Sequence, residues 1–226
     1  MKVTTKWDGT HVVDIPQTRT PIQSENPFPL IFKTQYDFRF DEIRSKVEDH
    51  IVEAKEYTEK NNRTTPEGGG GTSSVVLLNK GPQYQPPHRW KEFEPFINFI
   101  QKDADLVWKE WNFVERAQKV IGESWINSHP TGGFTSQHHH HGIHMAVVAY
   151  LYVPENGGNL LVKNPMTMYQ HGLPMAQENY YRNQWRPIEV KTNDVVILPA
   201  WLDHMTEVNQ SEENRYVMSL NVKGFY

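Results

Sequence analysis

The sequence contains no cysteine among its 226 residues, which excludes disulfide bonds, thiolate metal ligands and cysteine nucleophiles. It also lacks an apolar run of about 18 residues, the length that a membrane-spanning helix needs. Residues 1–7 lack the apolar core of a signal peptide. A formal net charge of −4 and a pI near 6.3 argue against a dedicated nucleic-acid-binding protein. These absences predict a soluble cytoplasmic protein that does not enter a membrane.

The hydrophobic pattern of the chain changes near Gly122. Residues 1–30 are rich in proline and threonine and are expected to form an extended arm on the domain. Apolar residues recur at helical spacing over 41–60, with Asp41 as the N-cap, and again over 90–121, where a boundary is expected near 103–105 and Gly122 would end the helical region. The stretch Gly68–Gly71 lies between these helices, and four glycines predict a mobile loop without regular structure.

About eight short strands are predicted after Gly122, because segments rich in Val, Ile, Tyr and Leu alternate with Gly, Pro and Asn. They cover residues 124–128, 134–140, 145–153, 159–162, 188–190, 195–198, 205–208 and 215–222. Short strands without intervening helices are typical of an antiparallel double-sheet jelly roll. We therefore predict a mainly β fold with flanking α-helices, in which N-terminal helices pack on the outer sheet. An N-terminal arm and helical support region (1–122) and a double-stranded β-helix core (123–226) would form one integrated domain.

Four consecutive histidines begin at His138, inside strand-like sequence, so an expression tag is not expected. Alternate side chains of a strand share a face, so His138 and His140 point together, and a continued strand would bring His144 to the same inner side. His204 follows a short turn and is the natural third ligand. Three imidazoles on one face leave open coordination positions, which favours a catalytic metal over a closed structural one. Imidazoles alone would accept zinc, iron, copper or nickel.

Arg215 begins the last predicted strand, where Val217, Ser219 and Asn221 share its face. A planar guanidinium at that position is suited to bidentate binding of a carboxylate. The alternative is a surface ion pair with one of the glutamates just before it. The position after His204 and ahead of a strand favours carboxylate binding beside the metal.

The last hundred residues resemble a known family through several segments that occur in the expected order. These segments are Trp125–Asn127, Gly133–Phe134, His138-x-His140, Ala149–Pro154, Gly158–Leu160, Asn193–His204 and Asn214–Val222. Together they resemble the iron(II)/2-oxoglutarate-dependent oxygenases frequent in cyanophages and other marine phages. The resemblance implies Fe(II) and 2-oxoglutarate as cofactors. It implies a dioxygenase that hydroxylates an unidentified small-molecule or peptide substrate, releases succinate and CO2, and acts in the host cytoplasm if phage-encoded.

The resemblance also implies roles for individual residues of the metal site. His138 would be the proximal ligand and His204 the distal one. Most such oxygenases have Asp or Glu at the position of His140, so here an imidazole is expected to complete the ligand set. This exchange raises the charge of the site by one unit, which should favour an anionic co-substrate but make oxygen activation harder. Asp203 is expected to orient a neighbour, because successive strand residues face opposite ways.

For the co-substrate, the resemblance implies that Arg215 binds the distal carboxylate of 2-oxoglutarate. Ser219, Asn127 and Tyr150 are expected to assist from the same and neighbouring strands. Two alternatives stay open from the residues themselves. One is a cupin-like three-histidine iron dioxygenase that needs no 2-oxoglutarate, and the other is a non-catalytic jelly-roll module that binds metal. The sequence leaves the oligomeric state open, including a homo-oligomer.

Overall fold

The computed structural model describes residues 2–5, 11–14, 22–27, 30–114, 116–165 and 184–225. Its two α-helices within this part of the chain are α1 (Phe40–Lys60) and α2 (Glu94–Glu110). Short 3-10 turns cover Ser74–Lys80, Pro87–Arg89 and Lys91–Phe93. No described helix combines the length and the apolarity that crossing a bilayer requires.

Strands account for most of the other described residues. They are β1 (Lys2–Thr5), β2 (His11–Asp14), β3 (Ile22–Pro27), β4 (Leu30–Gln35), β5 (Glu67–Gly68), β6 (Thr72–Ser73), β7 (Gln118–His129), β8 (Phe134–Thr135), β9 (Met145–Tyr152), β10 (Leu160–Lys163), β11 (Trp185–Ile188), β12 (Asp194–Pro199), β13 (His204–Thr206) and β14 (Arg215–Phe225). The larger sheet has the order β1-β2-β3-β4-β12-β9-β14-β7-β6, the smaller one β11-β10-β13, and β5 pairs with β8. The pairings are antiparallel, so the prediction of a mainly β fold with helices and antiparallel sheets is confirmed.

The larger sheet is covered on both faces, which explains why β9 is apolar at almost every position. One face carries Val147 and Ala149 and packs against α1 and α2 through residues such as Phe96. The other face carries Val148 and packs against Val162 of the smaller sheet. Each fully buried aliphatic side chain contributes about 1.5–3 kcal/mol. The two sheets therefore enclose an interior, and the helices support the larger sheet from outside.

The helix predictions needed correction at three ends. Helix α1 begins at Phe40, with Arg39 in the left-handed region (φ 46) as N-cap and no side-chain cap, while Asp41 lies in the first turn. Phe40 starts the helix because its ring is buried and stacks on Tyr152 with centroids 5.5 Å apart. The predicted helical region over 90–121 was too long at both ends, and its expected boundary near 103–105 was wrong, because α2 runs unbroken from Glu94 to Glu110. Asn112 adopts φ 58, which terminates α2.

As a result β7 starts at Gln118, and Gly122 lies inside this strand instead of ending a helix. The proposed boundary between residues 122 and 123 falls within β7, and the division into two regions stays a prediction. The N-terminal arm was predicted to lie on the domain. Instead, strands β1 to β4 extend the larger sheet through β12.

The glycine-rich segment was predicted to lack regular structure, and this was wrong. Glu67–Gly68 pairs with β8, and Thr72–Ser73 pairs with β7, so the segment connects two strands that precede the histidine cluster. A Cβ added to Gly69, which has φ +60, would lie 1.8 Å from the carbonyl oxygen of Gly132. Glycine is needed here both for the left-handed backbone and for this close approach.

The strand predicted over 134–140 was also wrong in its second half. Regular pairing ends at Thr135, and His138 forms only an isolated bridge with His204. The chain then turns through Gly142, which has φ 68, so the alternation does not extend to His144. The ring of His144 packs instead against Trp108, with centroids 5.3 Å apart, on the helix side of the larger sheet. The strand predicted over 188–190 is Trp185–Ile188, and the one over 205–208 is His204–Thr206.

A candidate metal centre and co-substrate pocket

Three histidines converge at one point at the edge of the interior. His138, His140 and His204 each offer one ring nitrogen, and these atoms lie within 4.8 Å of one another. The backbone holds them there: His138 and His204 exchange N–H···O bonds of 3.0 and 2.9 Å, and His140 donates to the carbonyl of Ala200 at 2.8 Å. The structure thus brings together the three residues predicted as metal ligands.

The Nδ1 atom of each of the three rings already has a hydrogen-bond partner within the protein. Nδ1 of His138 lies 2.8 Å from the carbonyl oxygen of Ser136, and Nδ1 of His204 lies 2.8 Å from that of Leu202. Nδ1 of His140 lies 2.6 Å from the side-chain oxygen Oδ1 of Asn221. A carbonyl or amide oxygen can only accept, so each Nδ1 carries the proton and each Nε2 keeps its lone pair. This donor set fits a transition-metal ion bound through three Nε2 atoms.

Burial keeps these imidazoles in the form that binds a metal. Desolvation lowers the pKa of His140 to about 4 and that of His204 to about 3, and it also lowers the pKa of His138. Neighbouring imidazoles lower the pKa of His204 further, because two positive rings would repel each other. All three rings are therefore neutral at pH 7, as metal ligation requires.

The intervening histidines point elsewhere, as strand alternation predicts. Nδ1 of His139 lies 2.9 Å from Oδ1 of Asp203, whose Oδ2 accepts from Gln137 at 2.8 Å and from Lys163 at 3.2 Å. The ring of His141 packs on that of His139, with centroids 4.3 Å apart. Asp203 therefore holds a half-exposed polar cluster beside the metal centre, and its carboxylate contacts none of the three clustered imidazoles.

Arg215 is fully buried at the start of β14. Its guanidinium donates to neutral acceptors, which are the carbonyl oxygen of Gly157 (2.5 Å), Oγ1 of Thr206 (2.9 Å), the carbonyl oxygen of Gly158 (3.1 Å), and Nδ1 of His129 and the carbonyl oxygen of Glu207 (both 3.3 Å). Within the described chain, no carboxylate oxygen lies within 4.0 Å of it. The alternative of a surface ion pair with a preceding glutamate is thus wrong, and a buried positive charge is left for an anion.

The other three residues predicted at the co-substrate pocket lie on the same face of the larger sheet. Tyr150 and Asn127 are each paired with Val217, and Ser219 follows two positions later on β14. The hydroxyl of Tyr150 is buried and has no hydrogen-bond partner among the described residues. Oδ1 of Asn127 accepts from the hydroxyl of Ser73 at 2.6 Å. These side chains converge on the interior that Arg215 also faces.

Two neighbours of the pocket were not predicted from the sequence. His129 lies opposite Arg215 on β7, and Glu123 lies opposite Asn221. Alternation predicts which residues of β14 face the interior. Identifying their partners on β7 also requires the register between the two strands. His129 and Glu123 were missed because no strand register can be read from the sequence.

Residues 123–221, which include all three histidines, match the family described as "Putative 2OG-Fe(II) oxygenase". The match covers 99 of the 226 residues and indicates an iron(II)/2-oxoglutarate-dependent oxygenase. The predicted enzyme class, its cofactors Fe(II) and 2-oxoglutarate, and dioxygen as oxidant are thereby confirmed. No curated protein matches the chain in sequence.

Several solved structures align with the chain at low sequence identity, and one of them reaches a TM-score above 0.5. The chain aligns with the non-heme alpha-ketoglutarate-dependent carbocyclase SnoK from nogalamycin biosynthesis at a TM-score of 0.51 and 15% identity, covering 85% of this chain and 78% of that one. A prolyl-4-hydroxylase from Pseudomonas putida aligns at 0.49 and 10% identity, over 87% and 93%. An oxidoreductase of the 2OG-Fe(II) oxygenase family from Burkholderia pseudomallei aligns at 0.42 and 14% identity, over 60% and 59%.

Proposed function

We propose that the chain is a double-stranded β-helix oxygenase in which His138, His140 and His204 hold Fe(II) through their Nε2 atoms. The observation that carries this assignment is that the Nδ1 atom of each of the three rings is hydrogen-bonded to an oxygen acceptor. It leaves three neutral Nε2 donors for one ion. The enclosed space between an antiparallel larger sheet and a smaller one supports the jelly-roll architecture.

The residues around Arg215 fit the distal carboxylate of 2-oxoglutarate. A buried guanidinium without a carboxylate contact is costly unless an anion accompanies it. The unpartnered hydroxyl of Tyr150 lies on the same inner face and can donate to such an anion. Ser219 and the amide of Asn127 line the same face and would assist in orienting the co-substrate. These roles rest on the position of each side chain along β7, β9 and β14.

When bound, Fe(II) and 2-oxoglutarate supply an oxidative decarboxylation with dioxygen that gives succinate and CO2 and oxidises the substrate. The protein contributes fixed neutral imidazoles, an anchor for the co-substrate, and shielding from water. Trp125 is 9% exposed, and its ring lies 5.5 Å from that of His140. It therefore shields one side of the metal centre. We expect hydroxylation of a small-molecule or peptide substrate. A phage origin, a cytoplasmic location, the absence of dedicated nucleic-acid binding and the oligomeric state stay predictions.

The decisive test is an anaerobic titration of the Fe(II)-loaded protein with 2-oxoglutarate, followed by visible absorption. Wild type should develop a saturable charge-transfer band, which should be lost in His138→Ala and should require much higher 2-oxoglutarate in Arg215→Ala. Arg116→Ala, at an exposed position, serves as the matched control. Absence of the band in wild type would contradict the proposal. Oxygen consumption that does not depend on 2-oxoglutarate would support the three-histidine dioxygenase instead.

A further inference from the structure

His140 is held differently from the other two histidines. His138 and His204 each direct Nδ1 to the carbonyl oxygen two residues earlier in the chain, so their orientation is a local property. His140 depends on Asn221, which is 81 residues away on the central strand β14. The ring at the position where related enzymes have a carboxylate is therefore oriented by a remote side chain.

Asn221 is itself fixed by a second contact. Its amide Nδ2 donates to Oε2 of Glu123 at 2.9 Å, while its Oδ1 accepts from Nδ1 of His140 at 2.6 Å. Only one orientation of the amide satisfies both bonds, because Nδ2 can only donate and the carboxylate can only accept. Glu123 thus determines which atom of Asn221 faces His140, and Asn221 determines which nitrogen of His140 carries the proton.

The backbone around this pair is adapted to the contact. Glu123 and Asn221 are direct partners on β7 and β14, a position at which side chains on one face meet. The register shifts immediately afterwards, since Val222 pairs with Ile121 and Gly122 is left without a partner on β14. A β-bulge of this kind bends the strand and redirects the side chains beside it.

We propose that Glu123 and Asn221 form a positioning relay that orients the ring of His140. The relay also partly compensates for the negative charge that a carboxylate ligand would have supplied at this position. The carboxylate of Glu123 polarises the amide, which makes Oδ1 a stronger acceptor and His140 a more basic ligand. The relay rests on the proposed role of His140 as a metal ligand. Neither Glu123 nor Asn221 touches the metal, so both act through His140.

The test uses binding of Co(II) to the metal-free full-length protein, followed by ligand-field absorption, and does not require activity. Asn221→Ala leaves Nδ1–H of His140 without its acceptor, and we expect about 10–100-fold weaker binding with a shifted spectrum. Asn221→Asp keeps an oxygen acceptor and should bind Co(II) more tightly than Asn221→Ala. Glu123→Gln should weaken binding in the same direction but less, since Glu123 is at an exposed rim and its charge is partly screened by solvent.

Two controls separate this inference from the proposed function. Glu212→Gln removes an exposed acidic charge elsewhere, so Glu123→Gln must weaken binding more than this variant does. His138→Ala should abolish Co(II) binding, and retained binding would refute the three-histidine site itself. If His138→Ala loses the metal while Asn221→Ala binds like wild type, only the relay is refuted. Should Asn221→Ala fail to fold, Asn221→Asp and Glu123→Gln retain the side-chain size, and wild-type affinity and spectrum in both would overturn the proposal.

Discussion

Arg215 and His129 lie directly opposite each other on β14 and β7, and the guanidinium donates to Nδ1 of His129 over 3.3 Å. The other nitrogen, Nε2, lies 2.8 Å from Oγ1 of Thr135 and carries the ring proton, since Nδ1 acts as acceptor. Burial and the adjacent positive charge lower the pKa of His129 to about 3. A neutral imidazole supports the guanidinium without neutralising it, whereas a carboxylate would compete with an anionic ligand.

The lowered pKa of His129 predicts that the free energy of unfolding depends on pH. In the unfolded chain a histidine has a pKa near 6.5, so as the pH falls below about 6.5 the unfolded state binds a proton that folded His129 does not bind. The stabilisation is complete above that pH and is lost progressively towards pH 3, by up to about 1.4 kcal/mol per pH unit. Urea unfolding of wild type and His129→Gln between pH 7 and pH 4.5 measures it.

The slope of the free energy of unfolding against pH should be shallower in His129→Gln by up to one proton equivalent. Other buried histidines titrate in both proteins, and their contribution cancels in the comparison. Equal slopes in wild type and His129→Gln would show that the folded ring binds a proton as readily as the unfolded one, contrary to its acceptor role towards Arg215.

A second prediction concerns Tyr150, whose buried hydroxyl has no partner among the described residues. Tyr150→Phe removes an unsatisfied polar group, so the free energy of unfolding of the metal-free protein should stay equal or rise by about 1 kcal/mol. Binding of 2-oxoglutarate should weaken about 10-fold or more, because a hydrogen bond to a carboxylate is worth about 1.5–3 kcal/mol. Urea unfolding and calorimetric titration of the Ni(II)-loaded protein provide the two readouts.

Tyr216→Phe is the matched control for Tyr150→Phe. Its hydroxyl donates to Glu48 at 3.2 Å on the outer face of β14, away from the pocket. This variant should lose about 0.5–1.5 kcal/mol of stability and leave 2-oxoglutarate binding unchanged. If Tyr150→Phe instead destabilised the protein and bound 2-oxoglutarate normally, the hydroxyl would have a structural partner and no role in the pocket.

The convergence of the three histidines could be predicted from the sequence in part, because the alternation that suggested it is a local pattern. Alternation along a strand placed His138 and His140 on one face, and the same rule placed Arg215 and Asn221 on the inner side of the last strand. These deductions need no register, only the period of two. The three-histidine cluster followed once His204 was recognised as the end of a turn.

The errors arose where contacts between distant residues decide the structure. Val120 and Ile121 fit a helical stripe as well as a strand, and only pairing with β14 makes them part of β7. The glycine-rich segment adopts two short strands because β7 and β8 offer partners for it. Likewise, the contact between His140 and Asn221 spans 81 residues, and a local pattern cannot reveal it.

A third prediction tests the close packing of the glycine-rich segment. Gly69→Ala would place a methyl group 1.8 Å from the carbonyl oxygen of Gly132 at φ +60, and should cost at least about 3 kcal/mol of stability. Gly122→Ala is the control, because nothing lies within 4 Å of its Cβ and its φ is not positive. That variant should change the free energy of unfolding by less than about 0.5 kcal/mol. Similar unfolding curves for the two variants would show that the segment does not pack on the turn at Gly132.

The charge of the metal centre gives the last prediction, through His140→Asp, which restores the carboxylate of related enzymes. The imidazole is neutral at pH 7 because burial lowers the pKa of His140 to about 4, so the exchange makes the site more negative by one unit. At an effective dielectric constant between those of protein and water, this should weaken binding of anionic 2-oxoglutarate by about 1 kcal/mol, or about fivefold. Calorimetric titration of the Ni(II)-loaded variant measures this change, with His141→Asp as the control because His141 carries the same substitution at an exposed position. Equal 2-oxoglutarate affinity in His140→Asp and wild type would show that the charge of the residue at this position does not affect binding of the co-substrate. The orientation of His140 by Asn221 would then be the property that distinguishes this site.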